Sequence, residues 1–480
     1  MLVGAASSIL IYPLAFEDYG ELRFVLAMAM FLYPLISLGV AGLAVKFFPE
    51  FNEGEEDQGL LPTLLLCFSL CTGLFGGLIY FNLPAVLKVF EVINFNPKLF
   101  SDNALVIWLL TFCVGFSEII KRYTTNFGRV VVPEIISSTN LKIVLPVMVI
   151  GIYLNYVSID SMKWFLVGLY AVITIGLARY LYHLNGFTLR VQTSFFTRDR
   201  VSRMSGYSLY GLLGSVGSVL AFQIDSIMVA GMETGYAAGQ YFNALNMASF
   251  ISAPQLAISA VAGPIISAAI FHGRWGEVAD IYRQSSLNLC LVGLLVYLLL
   301  VVNLDDIFLI STNTAAMSSL YWPVIILGGA KVLDMSSGMN REIMGYSHLY
   351  VINLGIVLLL AVLNIISNYI LIPIFGLTGA AIATFGSLLL ANLMRFAFLW
   401  AKEGIQPFTW SHLELLLVAV TCGGAAFILP DTGYGLVNIF LRSSLVVLFI
   451  LYANYLRGWS EFINNFLVKY LKIGRGLIKK

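Results

Sequence analysis

Fourteen apolar stretches recur along this chain, near residues 1–16, 24–45, 60–82, 103–120, 133–153, 163–182, 206–230, 237–270, 285–303, 317–340, 349–371, 377–399, 411–429 and 434–456. Most approach or exceed the roughly 20 residues that a helix needs to cross a bilayer. Open backbone hydrogen bonds are not tolerated in lipid, so such segments must be helices or closed barrel strands. Stretches this long and this uniformly apolar are helices. The chain is therefore predicted to be an all-α polytopic membrane protein. Composition agrees, because only 11% of the 480 residues are charged, against about 25% in a soluble domain. The formal net charge of +1 supplies no bulk field for nucleic acid. The five cysteines (Cys67, Cys71, Cys113, Cys290, Cys422) all lie in apolar stretches and read as small hydrophobes. The opening "MLVGAASSILIYPLAF" has neither a basic leading region nor a cleavage site, and reads as a first span that is short at its start.

Basic residues set the expected orientation. One set of connections, together with the tail, holds 21 of the 27 lysines and arginines. The alternate set holds only Arg23, Lys88, Lys98 and Lys163. That bias predicts an even number of spans with both termini in the cytoplasm. The outer connections are short, and no extramembrane domain is expected. The connection 183–205, with "TLRVQTSFFTRDRVSR", reads as an amphipathic interfacial helix, and 457–480 reads as a basic cytoplasmic tail.

Two stretches look like copies. "PLAFEDYGELRFVLAMAMFLYPLISLGVAGLAVKFFP" and "GMETGYAAGQYFNALNMASFISAPQLAISAVAGPIIS" each turn at an acidic residue and reach a glycine (Gly20, Gly239). Each then carries two prolines (Pro34 and Pro49; Pro254 and Pro264). Six spans return a chain to the side it started from, so the repeat would be parallel, about an axis along the membrane normal. Two six-helix lobes are expected, 1–182 and 206–400, around a central cavity, with two additional helices over 401–456.

A few polar residues interrupt the spans. A charge at the bilayer centre costs roughly 2.5–3.5 kcal/mol on insertion scales, and such residues usually face a cavity. Lys331 and Asp334, in "GGAKVLDMSSGMN", lie three apart on one helix face and could partly neutralise each other. They read either as an interhelical pair, with Lys331 snorkelling, or as a cavity pair in which Lys331 meets an anion and Asp334 provides charge balance. Asp225 in "AFQIDSIMVAG" reads either as interhelical glue or as a proton- or sodium-coupling carboxylate. Arg442, Lys142 at the start of the fifth stretch, and Arg395 are further candidates for anion contact. Gln240, Asn243, Asn246 and Gln255 on the eighth stretch could line a polar path. Asn364 and Asn368 on the eleventh, and Asn392 with Arg395 on the twelfth, could do the same. Any one of these is also ordinary interhelical glue.

No catalytic motif stands out: GxSxG, HExxH and a phosphate-binding glycine loop are all absent. Asp305 and Asp306 fall in an outer connection without the spaced acids of a metal-dependent glycosyltransferase. The reading is a transporter, not an enzyme, without a resident metal or cofactor. It would be driven by proton or sodium gradients or by the substrate's own gradient.

The segments "EDYGELRF", "SLGVAGLAVKFFPEF", "GRVVVPEII", "IDSIMVAGMETGYAAGQY" and "DMSSGMNREIMGYS", in that order, resemble the Wzx-type oligosaccharide flippases of the multidrug/oligosaccharidyl-lipid/polysaccharide exporter superfamily. The resemblance covers Pro13 to about Leu456. It implies twelve core helices in two lobes, often with two more. It also implies alternating access that moves a polyprenyl-diphosphate-linked glycan to the outer leaflet of the bacterial inner membrane for O-antigen or other lipopolysaccharide-type surface polysaccharides. Cavity cations would hold the diphosphate, and glycosyltransferases and a polysaccharide polymerase would be functional partners. The first-helix basic residue of the related peptidoglycan-precursor flippases has no match in the uncharged stretch Met1 to Phe16. The rival readings are a cation-coupled drug or metabolite exporter of the same superfamily, a membrane glycan polymerase or ligase, and a scaffold. The polymerase or ligase would need a large outer loop that this chain lacks.

Overall fold

The computed structural model describes residues 2–51, 59–92, 94–129, 131–184, 197–460 and 464. These form helices and short connections, with no strand among the described residues, so the all-α membrane fold class is observed. Among the described residues, ten helices are long and apolar enough to cross a membrane. The amphipathic connection over 183–205 and the basic tail fall mostly outside the described residues. The chain divides into two compact units.

The first unit holds residues 2–243 and 357–383. It starts with α1 (Leu2–Ala6), a π-helical turn over Ser7–Ile11 and a 3₁₀ turn over Tyr12–Leu14. It continues through α2 (Phe16–Ser37), α3 (Val40–Lys46), α4 (Leu60–Phe81), α5 (Ala104–Thr125), α6 (Asn140–Tyr153), α7 (Ile159–His183), α8 (Arg198–Met232) and most of α9 (Gly235–Ser249). Ser158 caps α7 by accepting from Ser161 N, and Thr197 caps α8 by accepting from Arg200 N. Each cap satisfies one of the amide donors left open at a helix start.

Small residues let these helices approach closely, as expected where lipid supplies no hydrophobic drive between helices. A Cβ on Gly115 would strike the Phe68 ring, and one on Gly76 would strike Trp108. Trp108 Nε1 donates to Thr72 O at 3.2 Å across the α4–α5 contact. Between α2 and α9 the backbones themselves touch: a Cβ on Gly20 would meet Gly235 O, and one on Gly239 would meet Phe16 O. Between α2 and α3 the chain breaks at Leu38 and Gly39, both with positive φ, and Ser208 Oγ of α8 donates to Leu38 O.

The second unit holds residues 244–356 and the chain from 384 onward. Its helices are α10 (Ala253–Phe271), α11 (Trp275–Val301), α12 (Leu304–Ile310), α13 (Tyr321–Ser336), α14 (Asn340–Tyr346), both ends of α15 (Tyr350–Glu403), α16 (Trp410–Ile428) and α17 (Gly435–Arg457). One apolar core joins α11, α13, α16 and α17 through Leu289, Leu298, Met335, Leu415, Cys422 and Ile450.

One feature differs from the sequence reading, and a second agrees with it. The stretch 237–270 is two helices, with a break at Phe250–Ser252 between α9 and α10; Pro254 at the start of α10 suits a helix start and not a helix interior. The stretches 349–371 and 377–399 share the single 54-residue element α15, which is interrupted at Gly376 with φ 55° and ψ −132°. Eight residues of straight helix span about 12 Å. A Cβ on Gly379 would nevertheless abut the carbonyl of Leu371, so the chain turns back at Gly376 and α15 contains two spans. Only glycine adopts that backbone conformation readily.

Candidate functional site

The second unit carries a buried polar network at the joint between α13 and α14. Gly338, with φ +61°, forms the bend, and a Cβ there would press on Ser286. The bend returns Arg341 to the turn it left. Arg341 Nη2 lies 3.3 Å from Asp334 Oδ2. From α15, Asn392 Nδ2 donates to Asp334 Oδ1 at 3.0 Å, and Asn392 Oδ1 accepts from Asn340 Nδ2 at 2.9 Å. Glu342 accepts from Ser259 Oγ at 2.9 Å.

Arg395, on the same helix as Asn392, is 1% exposed. Its Nε donates to Asn353 Oδ1 at 3.0 Å, while its Nη1 is buried and has no partner among the described residues. Tyr282 of α11 is fully buried as well, and its hydroxyl has no partner among the described residues. Asp334 lies within electrostatic reach of Arg341, Lys331 and Arg395. Lys331 is half-buried and makes no ion pair among the described residues, so Asp334 pairs with Arg341 and not with the lysine three residues before it. Lys331, Arg341 and Arg395 outnumber the carboxylates Asp334 and Glu342, leaving an excess of positive charge in a poorly solvated place. A buried donor left unmade costs about 1–3 kcal/mol, and more when charged. The open Nη1 of Arg395 is therefore a position where an anionic oxygen would relieve a standing cost.

The first unit carries a second set. Asp225 is 2% exposed; its Oδ2 accepts from Tyr241 OH at 2.9 Å and its Oδ1 from Ser226 N at 2.8 Å. On α9, Asn243 is fully buried and donates to Ser8 O at 2.9 Å. Gln240 is buried, and Asn246 is half-buried one turn on. Gln255 lies on α10 beyond the break and so does not extend that row as one helix face. Arg23 sits 4.9 Å over the Phe242 ring, with a buried Nε unpartnered among the described residues. Lys163, 8% exposed at its side chain, is 2.5 Å from Glu21, which also accepts from Asn103 at 3.0 Å. Asn368 donates to Asn364 Oδ1 at 2.7 Å, and both are buried.

Lys142 is the third residue of α6 (Asn140–Tyr153), at the start of that helix. Residues three, four and seven positions on share its helical face; these are Leu145, Pro146 and Val149, all buried, while Lys142 itself is exposed. Arg442 is held elsewhere. Its Nη1 is 2.5 Å from Asp306 Oδ2, with side chains 15% and 5% exposed. Asn438 Nδ2 bridges Asp306 at 3.0 Å and Asp431 at 2.6 Å. Asp306, read from sequence as an outer-loop residue, is buried in α12.

Arg341, Arg23 and Lys163 were legible only as loop cations, because charge counting ignores where a helix begins. The spacing of seven between Asp334 and Arg341 around a glycine was the available signal. No group of three or more His, Cys, Asp or Glu suited to a metal occurs among the described residues.

No protein-family model matches the chain, and no curated protein matches it either. Solved structures share its fold. A lipid II flippase MurJ in an inward closed conformation superposes with a TM-score of 0.69 at 14% identity, covering 95% of this chain and 97% of that one. The inward-facing conformation of a multidrug resistance MATE family transporter of the MOP superfamily gives a TM-score of 0.58 at 13% identity, over 86% and 93%. An outward-facing conformation of such a transporter gives 0.50 at 14%, over 87% and 91%. At these identities the likeness shows a common fold, that of multi-pass membrane transporters.

Proposed function

We propose that this chain is a secondary transporter that flips a polyprenyl-diphosphate-linked oligosaccharide from the cytoplasmic to the outer leaflet of the bacterial inner membrane by alternating access. The single observation that carries this reading is Arg395, a buried guanidinium whose Nη1 has no partner among the described residues, within a network that has an excess of cations. Arg395, Lys331 and Arg341 would hold the diphosphate. Lys142, exposed at the start of α6, would meet anionic groups of the glycan. Asp334 keeps the empty network tolerable by offsetting part of its charge. The fold shared over nearly the full chain with a lipid II flippase supports a lipid-linked substrate. Such a substrate requires glycosyltransferases to build it and a polymerase or ligase to consume it, and both termini would lie in the cytoplasm.

A second reading has its own support. The Asp225–Tyr241 pair buries a carboxylate in an apolar helix bundle, and the fold is also that of multidrug transporters. A proton- or sodium-coupled exporter of small molecules would use Asp225 as its coupling group.

The test is transbilayer movement of a labelled polyprenyl-diphosphate oligosaccharide in liposomes holding the purified protein, with and without proton and sodium gradients. Dye efflux is measured in parallel. Glycolipid movement that Arg395→Met abolishes supports the flippase; dye efflux without glycolipid movement replaces it with the exporter.

A further inference from the structure

The second unit has an open cavity of about 600 Å³ where α15 hands over to α16, lined by Arg283, Gln406, Phe408, Thr409, Trp410 and Leu413. None of these residues belongs to the polar network described above. Three observations say what would fill it.

The first is charge. Arg283 is exposed. Its Nε makes one long bond, 3.4 Å, to Gln406 O, and its remaining guanidinium donors have no protein acceptor among the described residues. The start of α16 adds positive character, with no acidic residue in its first turn. Glu414, one turn further, is engaged by Trp459 Nε1 at 3.2 Å and Arg457 at 3.9 Å.

The second is depth in the membrane. Aromatic side chains concentrate at the headgroup level of a bilayer. Here Phe396 stacks on Trp400 at 5.9 Å and touches Phe408 at 5.5 Å, and Trp410 is 82% exposed. Gly404 ends α15 in a left-handed conformation, and the Thr409–His412 capping box begins α16, so the connection between them lies at the membrane surface.

The third is continuity with the acyl region. Trp410, Leu413, Leu417 and Val420 recur at helical spacing along one face of α16, and all are exposed. This stripe leads from the cavity into the bilayer.

We propose that this cavity is a docking site for an anionic membrane phospholipid, with its phosphate against Arg283 and the first turn of α16 and an acyl chain along the Trp410–Val420 face. The basic bias of its loop set places the lipid in the cytoplasmic leaflet. The site is separate from the transported substrate and would tie activity to the anionic lipid content of the membrane.

The test uses the full chain in nanodiscs of mixed phosphatidylcholine and phosphatidylglycerol in which only one of the two lipids carries bromine at a time, its fraction being varied. The fluorescence contributed by Trp410 is the difference between the wild type and Trp410→Phe. A basic side chain near an anionic surface contributes about 1 kcal/mol, or about a fivefold preference. The expected result is quenching of Trp410 at a lower fraction of phosphatidylglycerol than its bulk share would give. Arg283→Gln should remove that preference and Arg283→Lys should retain it. Equal quenching by the two lipids in the wild type, or a preference that survives in Arg283→Gln, overturns the site. Loss of the preference on adding inorganic phosphate also overturns it, by making the cavity a soluble-anion site. Arg283 is exposed, so its variants are expected to fold, and a monodisperse elution profile checks that.

Discussion

Replacing Asp306 by leucine would leave the guanidinium of Arg442 facing a side chain that cannot accept its hydrogen bond. The nearest remaining acceptor is Val302 O, at 3.4 Å. Removing one member of a buried ion pair typically costs about 3–5 kcal/mol, mostly because the survivor is stranded. The two side chains here are 5% and 15% exposed, and Asn438 keeps Asp431 as an acceptor when Asp306 is lost. Partial access to water and the residual carbonyl place the expected cost at the lower end, about 3 kcal/mol. Arg442→Met strands the carboxylate instead, with Asn438 as its remaining partner, and should cost a similar amount. The double variant Asp306→Leu/Arg442→Met replaces a buried pair by apolar side chains, a change that is often neutral or stabilising. The two single losses of about 3 kcal/mol each would vanish together, so the expected coupling between the two sites is about 6 kcal/mol, far above the few tenths found for independent positions. Equilibrium unfolding of the four proteins in mixed micelles, followed by tryptophan fluorescence, measures it. Additive losses in the double variant would refute the clasp. Glycolipid transport separates structure from function at the same site. A double variant that is stable but inactive in transport would put Arg442 on the substrate path; a stable and active one assigns it to holding α17 against α12.

Three further outcomes are expected. Lys331→Met should reduce glycolipid movement at least several-fold while leaving the melting temperature within a few degrees of the wild type, because this half-buried cation makes no ion pair among the described residues that folding would lose; unchanged transport would return it to a spectator role. Gly20→Val and Gly239→Val should each destabilise the protein by about 1–3 kcal/mol through overpacking, and by similar amounts, since each forces a side chain against a backbone carbonyl; a neutral result in either variant would contradict the backbone contact. In the connection before α17, the Gly433 N–H and then the Asn438 amide hold the Asp431 carboxyl below its usual range. A depressed folded-state pKa adds stability above the unfolded value of about 4, and that stability is lost as pH falls through the folded value. The melting advantage of the wild type over Asp431→Asn should thus be present at neutral pH and shrink in acid. A gap that stays flat across that range would exclude the linkage.

Helical membrane architecture was legible because it depends on summed apolarity, which sequence reports directly. Breaks inside apolar stretches were less visible. Phe250–Ser252 carries no charge, so hydropathy alone could not separate one long helix from two there, whereas the break at Gly376 falls in the gap expected between 371 and 377. The candidate sites were legible as residue types and not as partners. Lys331 and Asp334 shared a face by spacing, yet Asp334 pairs with Arg341, because a bend at Gly338 sets which charges meet and helical periodicity ends there. Arg442 looked like an isolated intramembrane cation because its partner, Asp306, lies 136 residues away in the chain on a short helix that read as a loop. Long-range pairing is a property of packing, and no local pattern in one sequence encodes it.

The glycines of the apparent sequence repeat connect local pattern to packing. Gly20 and Gly239 stand at matching places in the two copies, and by the same offset Phe16 matches Gly235. In the structure, Gly20 approaches the carbonyl of Gly235, and Gly239 approaches the carbonyl of Phe16. When residue i of one copy meets residue j of the other, and j of the first meets i of the second, the contact is isologous, as at a two-fold axis. Chance similarity between two apolar helices would give no reason for the matching positions to touch reciprocally. The contact therefore sets matching positions of the two stretches, on α2 and α9, against each other reciprocally. It also gives a physical reason for glycine at both positions. Residues on such an axis face their own counterparts, so a side chain on one would have to share its space with the equivalent backbone of the other, and only a residue without a Cβ lets both copies come this close.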